Sequence, residues 1–487
     1  MILVQNLRQL LSGNSIFFFL VIFLFGLSSC DMFRKAQTDE RVTEKEKTEL
    51  DEIEGKGTYN PETGKYEPST TVSTKVDTIK WTVNPDQVPP ITSDATEMAT
   101  SKDPVVISDD GSGKKLGIYN VAVMLPFFTN RFDDGTTIDN ASLQALSFYG
   151  GMKIAFNELS REGVHINATV HDTKGSESTV TSLMASPDLA KADLIIGPFR
   201  KNNIIIAGEQ AKLLRTPFVS PLSASSDVAN DNPYFIQVNP YLQTHCQSIT
   251  QHARKRFKPN QIVLVARNKE AEISRFQYFQ DENKKIEGSA NAERFNEYII
   301  TAEEMDFEEI DITPYLIEGD TTVFVVPSFS SKIFVYGLLL RIYNTKGDHP
   351  VVVYGFPQWM EFEPPSYDYY ELLNLHVTSA NFVDTDTDEV KNFKRKYFES
   401  YGTIPNDKSF SGYDIMMYFG MMMDKYGTKF QEKIDVESKA YLNTKFEFIR
   451  EVPLAAALQE DFSKTNLYEN KHVYILKFKD YYFQMAD

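Results

Sequence analysis

From residue 119 onward, short apolar runs alternate with longer segments whose apolar positions recur at helical spacing. Tyr119-Asn120-Val121-Ala122-Val123-Met124-Leu125-Pro126 reads as a buried strand. A helix is predicted from about Ser142 to Glu162, because Phe148, Met152, Ala155, Phe156 and Leu159 share one face and Gly163 supplies a stop. Gly150 and Gly151 lie inside that helix, where each costs about 1 kcal/mol relative to alanine, so a close approach to the sheet is expected there. Strands are predicted over 165–171, 193–196 and 217–220, with a helix over 204–214. After Tyr234-Phe235-Ile236-Gln237-Val238 the alternation restarts, with strands over 261–266, 298–301, 322–326 and 351–354. An extended crossing over 375–383 and helices over 387–401 and 409–426 follow. This is the pattern of a mostly parallel, doubly wound α/β sheet, and its restart predicts two lobes of the same kind. The late helices are expected to return to the first lobe, so that several strands pass between the lobes as a hinge. No short fixed period occurs, which disfavours a solenoid.

Ahead of this pattern the chain is polar. From Asp31 to about Lys115 it is rich in Thr, Glu, Lys, Asp, Ser and Pro and cannot offset its ordering entropy by burial. It reads as a flexible tether with an end-to-end distance of about 50 Å. Within it Ile79, Trp81 and Val83 alternate like a short strand. This stretch would either add to a sheet edge, of a partner or of this chain, or lie on the folded domain. The first residues hold one cation, Arg8, an apolar run from Ile16 to Phe25, and then Leu27-Ser28-Ser29-Cys30. That run is shorter than the roughly 20 residues of a membrane span and matches the h-region of a signal peptide. The last four residues resemble the bacterial lipobox. The resemblance implies cleavage before Cys30, lipidation of its thiol and effectively permanent attachment to a membrane through the lipid anchor. The expected organisation is a signal peptide over 1–29, a lipidated tether over 30–116 and a folded domain over 117–487. Its first lobe covers about 117–239 plus the late helices, and its second about 240–380.

Composition narrows the function. Cys246 is the only other cysteine, so lipidation of Cys30 leaves no intramolecular disulfide and the fold must rest on its core. A net charge of −18 argues against nucleic acid as a partner. The basic cluster Arg254-Lys255-Arg256-Phe257-Lys258 is expected in the last turn of a helix, where the dipole favours cations. Gly111-Ser112-Gly113-Lys114 precedes a strand and lacks Walker spacing, so it reads as a linker. The histidines are scattered without metal-ligand spacing, and no Gly-x-Ser-x-Gly elbow occurs. The acidic run Glu303, Glu304, Asp306, Glu308 and Glu309 reads as a solvated face, and Met416, Met417, Met421, Met422 and Met423 as core. No catalytic residue, metal or cofactor is expected, and the protein is not read as an enzyme.

Five segments then carry a family resemblance: the opening strand ending in Leu125-Pro126; Tyr149-Gly150-Gly151-Met152-Lys153-Ile154-Ala155-Phe156-Asn157-Glu158-Leu159; Ala192-Asp193-Leu194-Ile195-Ile196-Gly197-Pro198; Thr216-Pro217-Phe218-Val219-Ser220-Pro221; and Tyr397-Phe398-Glu399-Ser400-Tyr401-Gly402 with Gly412-Tyr413-Asp414 beyond it. In order and spacing they resemble the type 1 periplasmic binding proteins of the leucine/isoleucine/valine-binding kind, over about residues 117–487. The resemblance implies two Rossmann-like lobes joined by a multi-strand hinge, closing on a ligand in the cleft. It also implies that hydroxyls and amides after the fourth strand hold a ligand carboxylate. Here that place is Ser220-Pro221-Leu222-Ser223-Ala224-Ser225, with Leu222 as an extra residue and Ser225 in the position of a threonine. A turn whose hydroxyls satisfy its own backbone is the other reading. Where such relatives have small hydroxyl residues after Gly-Pro, this chain has Phe199-Arg200-Lys201-Asn202-Asn203. Arg200 and Lys201 suit an anionic ligand or a salt-bridged surface. The same run resembles that of the outer-membrane lipoprotein activators of peptidoglycan synthases. Two functions are therefore expected. One is a membrane-anchored extracytoplasmic protein capturing a small polar, amino-acid-like ligand for an ABC importer or sensor. The other is an envelope scaffold or regulator of peptidoglycan synthesis that binds a protein partner such as a cell-wall synthase. Either places the chain in the cell envelope, at the outer membrane in a diderm.

Overall fold

The computed structural model describes residues 58–60, 65–67, 113–131, 138, 140–229, 231–289, 291–301, 307–364, 366–452 and 465–486. The signal-peptide segment, Cys30, the strand-like run around Trp81, and Glu303, Glu304 and Asp306 lie outside these residues. The chain divides into two compact units, 1–95 and 96–487. In the first, β1 (Thr58–Asn60) pairs antiparallel with β2 (Lys65–Glu67), Tyr59 opposite Tyr66. This paired segment lies within the stretch whose composition predicts a flexible tether, and Pro61-Glu62-Thr63-Gly64 between the strands is turn-forming sequence.

The second unit holds two sheets. In chain order the first lobe runs β3 (Tyr119–Leu125), α1 (Asn140–Arg161), β4 (Ile166–Asp172), α2 (Glu177–Met184), β5 (Leu194–Ile196), α3 (Lys201–Leu214), β6 (Phe218–Ser220) and β7 (Phe235–Gln237). The second runs α4 (Leu242–Arg254), β8 (Ile262–Arg267), α5 (Phe276–Glu287), β9 (Asn296–Ile300), β10 (Thr322–Val325), α6 (Lys332–Lys346), β11 (Val351–Gly355) and β12 (Leu375–Ser379). Helices α7 (Asp388–Tyr401) and α8 (Asp407–Tyr426) then return to the first lobe, followed by β13 (Ser438–Ala440), β14 (Lys445–Glu451) and β15 (Leu467–Asn470). Finally β16 (Tyr474–Lys479) and β17 (Tyr482–Met485) return to the second. The strand orders are β13-β14-β15-β7-β6-β5-β3-β4 and β17-β16-β12-β11-β10-β8-β9. Strands β3 to β7 and β8 to β12 are parallel, most of them joined by crossover helices. Strand β15 joins β7 in parallel, whereas β16 joins β12 antiparallel.

The pattern over 375–383 resolves into two parts. Residues 375–379 are a wholly buried strand of the second sheet, and only the residues after Ser379 cross between lobes. The glycine pair also has a different neighbour from the one its position suggested. Gly151 packs on a helix rather than the sheet. A Cβ on Gly151 would lie 1.9 Å from the Ser409 carbonyl oxygen of α8, and one on Gly412 of α8 would lie 1.9 Å from that of Phe148. Two helices thus meet backbone to backbone, and either side chain would overpack the contact.

Strand β3 shows why its run is unbroken. Val121, Val123 and Leu125 face a core with Phe148, Met152, Ala155 and Leu159 of α1 and with most of α8. Ala122 and Met124 face the opposite layer with Val180 of α2 and Ile204, Ala207 and Ala211 of α3. A strand covered on both faces has no polar side. Met416, Met417, Met422 and Met423 are buried in the first of these cores. Arg254 occupies the last turn of α4, its Nε donating to Asn283 Oδ1 at 2.9 Å. Gly113 is held to the folded unit by its N–H, which donates to the Tyr426 carbonyl at 3.0 Å. Glu308 and Glu309 are exposed.

In the second lobe α4 packs Cys246, Ile249 and Ala253 against β8 and β10. The thiol of Cys246 is buried and unpaired, and burial pushes its pKa up. His245, one residue earlier, is buried, and its Nδ1 has no hydrogen-bond partner. Desolvation lowers its pKa from 6.5 to about 4. The folded state resists the proton that the unfolded chain accepts near pH 6.5. This contribution is therefore complete above that pH and is lost as the pH falls toward 4. Replacing His245 with leucine removes both the unpartnered nitrogen and the titration. Urea unfolding is expected to show His245→Leu at least as stable as the wild type at pH 7. It should also lose less stability on acidification from pH 7 to 4.5, by up to roughly 3 kcal/mol. Equal acid slopes in the two proteins would refute this account.

Candidate functional site

Three segments cross between the sheets: 238–241 after β7, 380–387 after β12 and 471–473 after β15. The first two leave the carboxyl ends of parallel strands. The third leaves the same edge of the first sheet, because β15 runs parallel to β7, and enters β16 at the carboxyl edge of β12. The crossings therefore join the carboxyl edges of the two sheets, and the cleft lies between those edges, where loops of doubly wound sheets bind ligands.

Two buried carboxylates fasten the crossings. Glu469 of β15 is fully buried. Its Oε1 accepts the Tyr241 N–H at 2.9 Å and the Thr244 hydroxyl at 2.6 Å, and its Oε2 pairs with Lys471, which also reaches Glu451 at 2.7 Å. Asp414 of α8 accepts the N–H groups of Leu442, Asn443 and Thr444 at 3.0, 2.8 and 2.8 Å. That turn in turn accepts the Phe382 N–H on the Asn443 carbonyl at 2.8 Å, and the Thr444 hydroxyl donates to Asn381 Oδ1 at 3.0 Å. Burial pushes the Asp414 carboxyl up to about 7, while the three amides pull the other way.

The cleft faces are likewise pinned from within. At the end of β4, Asp172 accepts the N–H groups of Phe127, Phe128, Thr129 and Lys174 at 2.9, 3.1, 2.8 and 2.8 Å, and the Thr129 hydroxyl at 2.7 Å. Burial raises its pKa, but the donors of Lys174, Thr129 and Phe128 outweigh it and hold the carboxyl below its ordinary value. In the second lobe Arg267 and Glu272 form a buried pair. Arg267 also donates to the Ser330 hydroxyl at 2.9 Å, and Glu272 accepts from Ser328, whose carbonyl accepts the Trp359 indole N–H at 2.8 Å.

The sequence-expected residues sit at the ends of β5 and β6. Ser220 ends β6, buried, its Oγ without a hydrogen-bond partner. The Ser223 hydroxyl accepts the Ser225 N–H at 3.3 Å, and Ala224 is exposed. Strand β7 anchors this turn. Gln237 donates to the Ser223 carbonyl, and Asn239 just beyond the strand donates to the Leu222 carbonyl at 2.9 Å. The extra residue, Leu222, packs on the first-lobe core, as do Phe127 and Phe199. Phe199 meets Phe148 edge to face at 5.3 Å. Arg200 donates to the Gly175 carbonyl at 3.1 Å and lies 5.3 Å from the Phe128 ring. Lys201 pairs with Asp227 at 2.6 Å, with both side chains exposed. Both cations flank the serine turn, yet among the described residues neither is hydrogen-bonded to residues 220–225. Lys201 is thus in a surface salt bridge, and Arg200 in a backbone hydrogen bond and a ring contact. Glu469, Asp172 and Glu272 were not singled out from the sequence. Asp172 offered one signal, a carboxylate directly after a predicted strand. Among the described residues no cluster of three or more metal-ligating side chains occurs, and no helix is long and apolar enough to cross a membrane.

Two doubly wound lobes, three crossings and facing carboxyl edges define the type 1 periplasmic binding protein fold. Solved structures agree. A Rhodospirillum rubrum protein described as a branched-chain amino acid ABC transporter matches with a TM-score of 0.54 at 12% identity, covering 76% of this chain and 100% of that one. An ABC transporter substrate-binding protein from Desulfitobacterium hafniense gives 0.51 at 12% identity, with the same coverage. Haemophilus influenzae LpoA gives 0.50 at 11% identity, covering 78% of this chain and 60% of LpoA. Identities this low show a shared fold. No family model matches the chain, and no curated protein matches it.

Removing one charge of the hinge is the direct test of its weight. Glu469→Gln keeps an acceptor but leaves Lys471 with Glu451 alone. Urea unfolding should show a loss of about 2 kcal/mol, below the 3–5 kcal/mol of a fully orphaned buried charge. A change inside about 0.5 kcal/mol, the range of ordinary surface substitutions, would show that the pair does not hold the crossings.

Proposed function

We propose that this chain is an extracytoplasmic binding protein that closes its two lobes on a small polar, amino-acid-like ligand and presents it to an ABC importer or sensor. The observation that carries this reading is the serine turn at the end of β6. Side chains of Gln237 and Asn239 fix its backbone, and it sits on the cleft edge of the lobe. Ser223, Ala224 and Ser225 offer hydroxyl and amide groups to a carboxylate, and Ser220 ends the strand that leads into the turn. The binding proteins from Rhodospirillum rubrum and Desulfitobacterium hafniense share this fold and support the class. Arg200 and Lys201 serve the lobe's own loops. No catalytic step is assigned.

The envelope-scaffold reading has its own supporting observation. Phe199 packs against the first-lobe core at the place where the resemblance puts small hydroxyl residues, and the cations beside it are engaged within the lobe. LpoA shares the fold. Thermal shift of the chain lacking residues 1–30, screened against amino acids and peptidoglycan fragments, separates the two. Ligand at about a hundred times its dissociation constant adds about 2.7 kcal/mol of apparent stability. A shift abolished by Ser223→Ala with Ser225→Ala supports the first reading and its site. A shift that survives both substitutions moves the site elsewhere. Silence across all solutes, with capture of a purified cell-wall synthase, favours the scaffold.

In either role the chain is proposed to be a lipoprotein, with residues 30–116 as a tether from a lipidated Cys30. Cells fed a clickable fatty acid should label the wild type, and Cys30→Ala should remain unlabelled and unprocessed. A labelled Cys30→Ala protein would overturn the anchor.

A further inference from the structure

Against the second crossing lies a cavity of about 690 Å³ that shares no residue with the serine turn. Its walls come from the second crossing, α7, the turn between β13 and β14, and the two last strands of the second sheet. That volume is within the roughly 300–1,000 Å³ of small-molecule sites. The walls are aromatic and acidic. Phe382, Tyr441 and Tyr474 line it, and among the described residues the hydroxyls of Tyr441 and Tyr474 have no hydrogen-bond partner. Glu158, also in the wall, is already engaged, accepting from Lys396 at 2.6 Å and from the Tyr413 hydroxyl at 2.5 Å. Asp384 and Glu389 are exposed and carry no ion pair among the described residues. They outnumber the one unpaired cation of the wall, Lys439.

We propose that this cavity binds a small organic cation, a primary-ammonium compound with an apolar body, and that the bound cation braces the hinge. Ammonium groups are attracted to aromatic faces within about 6 Å, and the unpaired carboxylates add Coulombic attraction. The net charge of −18 concentrates cations around the chain as a whole. The walls also explain the mechanical consequence. Tyr474 and Met485 belong to the second sheet, Phe382 and Asp384 to a crossing, and Tyr441 and Leu442 to the turn that Asp414 holds. A ligand touching all three resists their relative motion.

Calorimetric titration of the full-length protein in detergent tests this, with cadaverine as probe and glutarate as a control of similar length and opposite charge. Cadaverine should bind saturably at one site with a dissociation constant of about 1 mM or tighter. Asp384→Asn combined with Glu389→Gln should weaken it about tenfold or more, while Ser223→Ala with Ser225→Ala leaves it unchanged. The latter pair keeps failure here distinct from failure of the cleft reading. Unliganded melting temperatures equal to the wild type's show that the charge variants fold. A second variant, Tyr441→Phe, retains the aromatic face and should bind cadaverine within about threefold of the wild type, since the ring face rather than the hydroxyl carries the attraction. The absence of saturable cadaverine binding up to about 10 mM overturns the proposal. So does glutarate binding as tightly as cadaverine, or cadaverine binding that survives the carboxylate substitutions.

Discussion

Two carboxylates removed from water, Asp414 and Glu469, hold the three chain crossings on which the two-lobed arrangement depends. A buried carboxylate without donors costs several kcal/mol, so each must be supplied with N–H, hydroxyl or ammonium partners. Those partners come from the crossings, from the helix that the first crossing enters and from the turn against the second: Tyr241, Thr244 and Lys471 for Glu469, and the 442–444 amides for Asp414. The hinge cannot rearrange far without orphaning a charge. Asp414 is itself positioned by α8, and α8 by the reciprocal glycine contact with α1. The constraint therefore runs from the first sheet through two helices into the second crossing.

The same device recurs at the cleft faces. Asp172 gathers the amides of the loops after β3 and β4, and Glu272 with Arg267 gathers the loop after β10. Each lobe thus presents an edge whose loops are ordered before anything binds. The crossings and the loops at the facing edges are therefore held by the same means, buried carboxylates that accept from the chain around them.

What the sequence made legible follows from burial. Strands β3, β8 and β10 appear as unbroken apolar runs because helices cover both their faces. The closing strands do not. In β14, Phe446 and Phe448 turn inward while Glu447 and Arg450 lie outside that core, so the run reads as mixed polarity. Strand β15 carries Glu469 into the interior, and its donors Tyr241 and Thr244 lie 228 and 225 residues away in the chain. No local pattern announces such a pairing. Gly151 shows the same limit. Its cost inside a helix was visible and required a close neighbour, but the neighbour is a helix more than 250 residues later in sequence rather than the adjacent sheet. At the serine turn the extra Leu222 looked like a disruption of the expected element, and its side chain resolves this by packing into the core.

Pre-ordered faces bear on both functional readings. Association loses affinity to the ordering of side chains and loops, and a turn already fixed by Gln237 and Asn239 avoids much of that cost. A small ligand benefits most, because it has few contacts over which to recover such losses. A protein partner, with a larger interface, can tolerate mobile loops. The rigidity of the serine turn is therefore an argument for a compact ligand in the cleft.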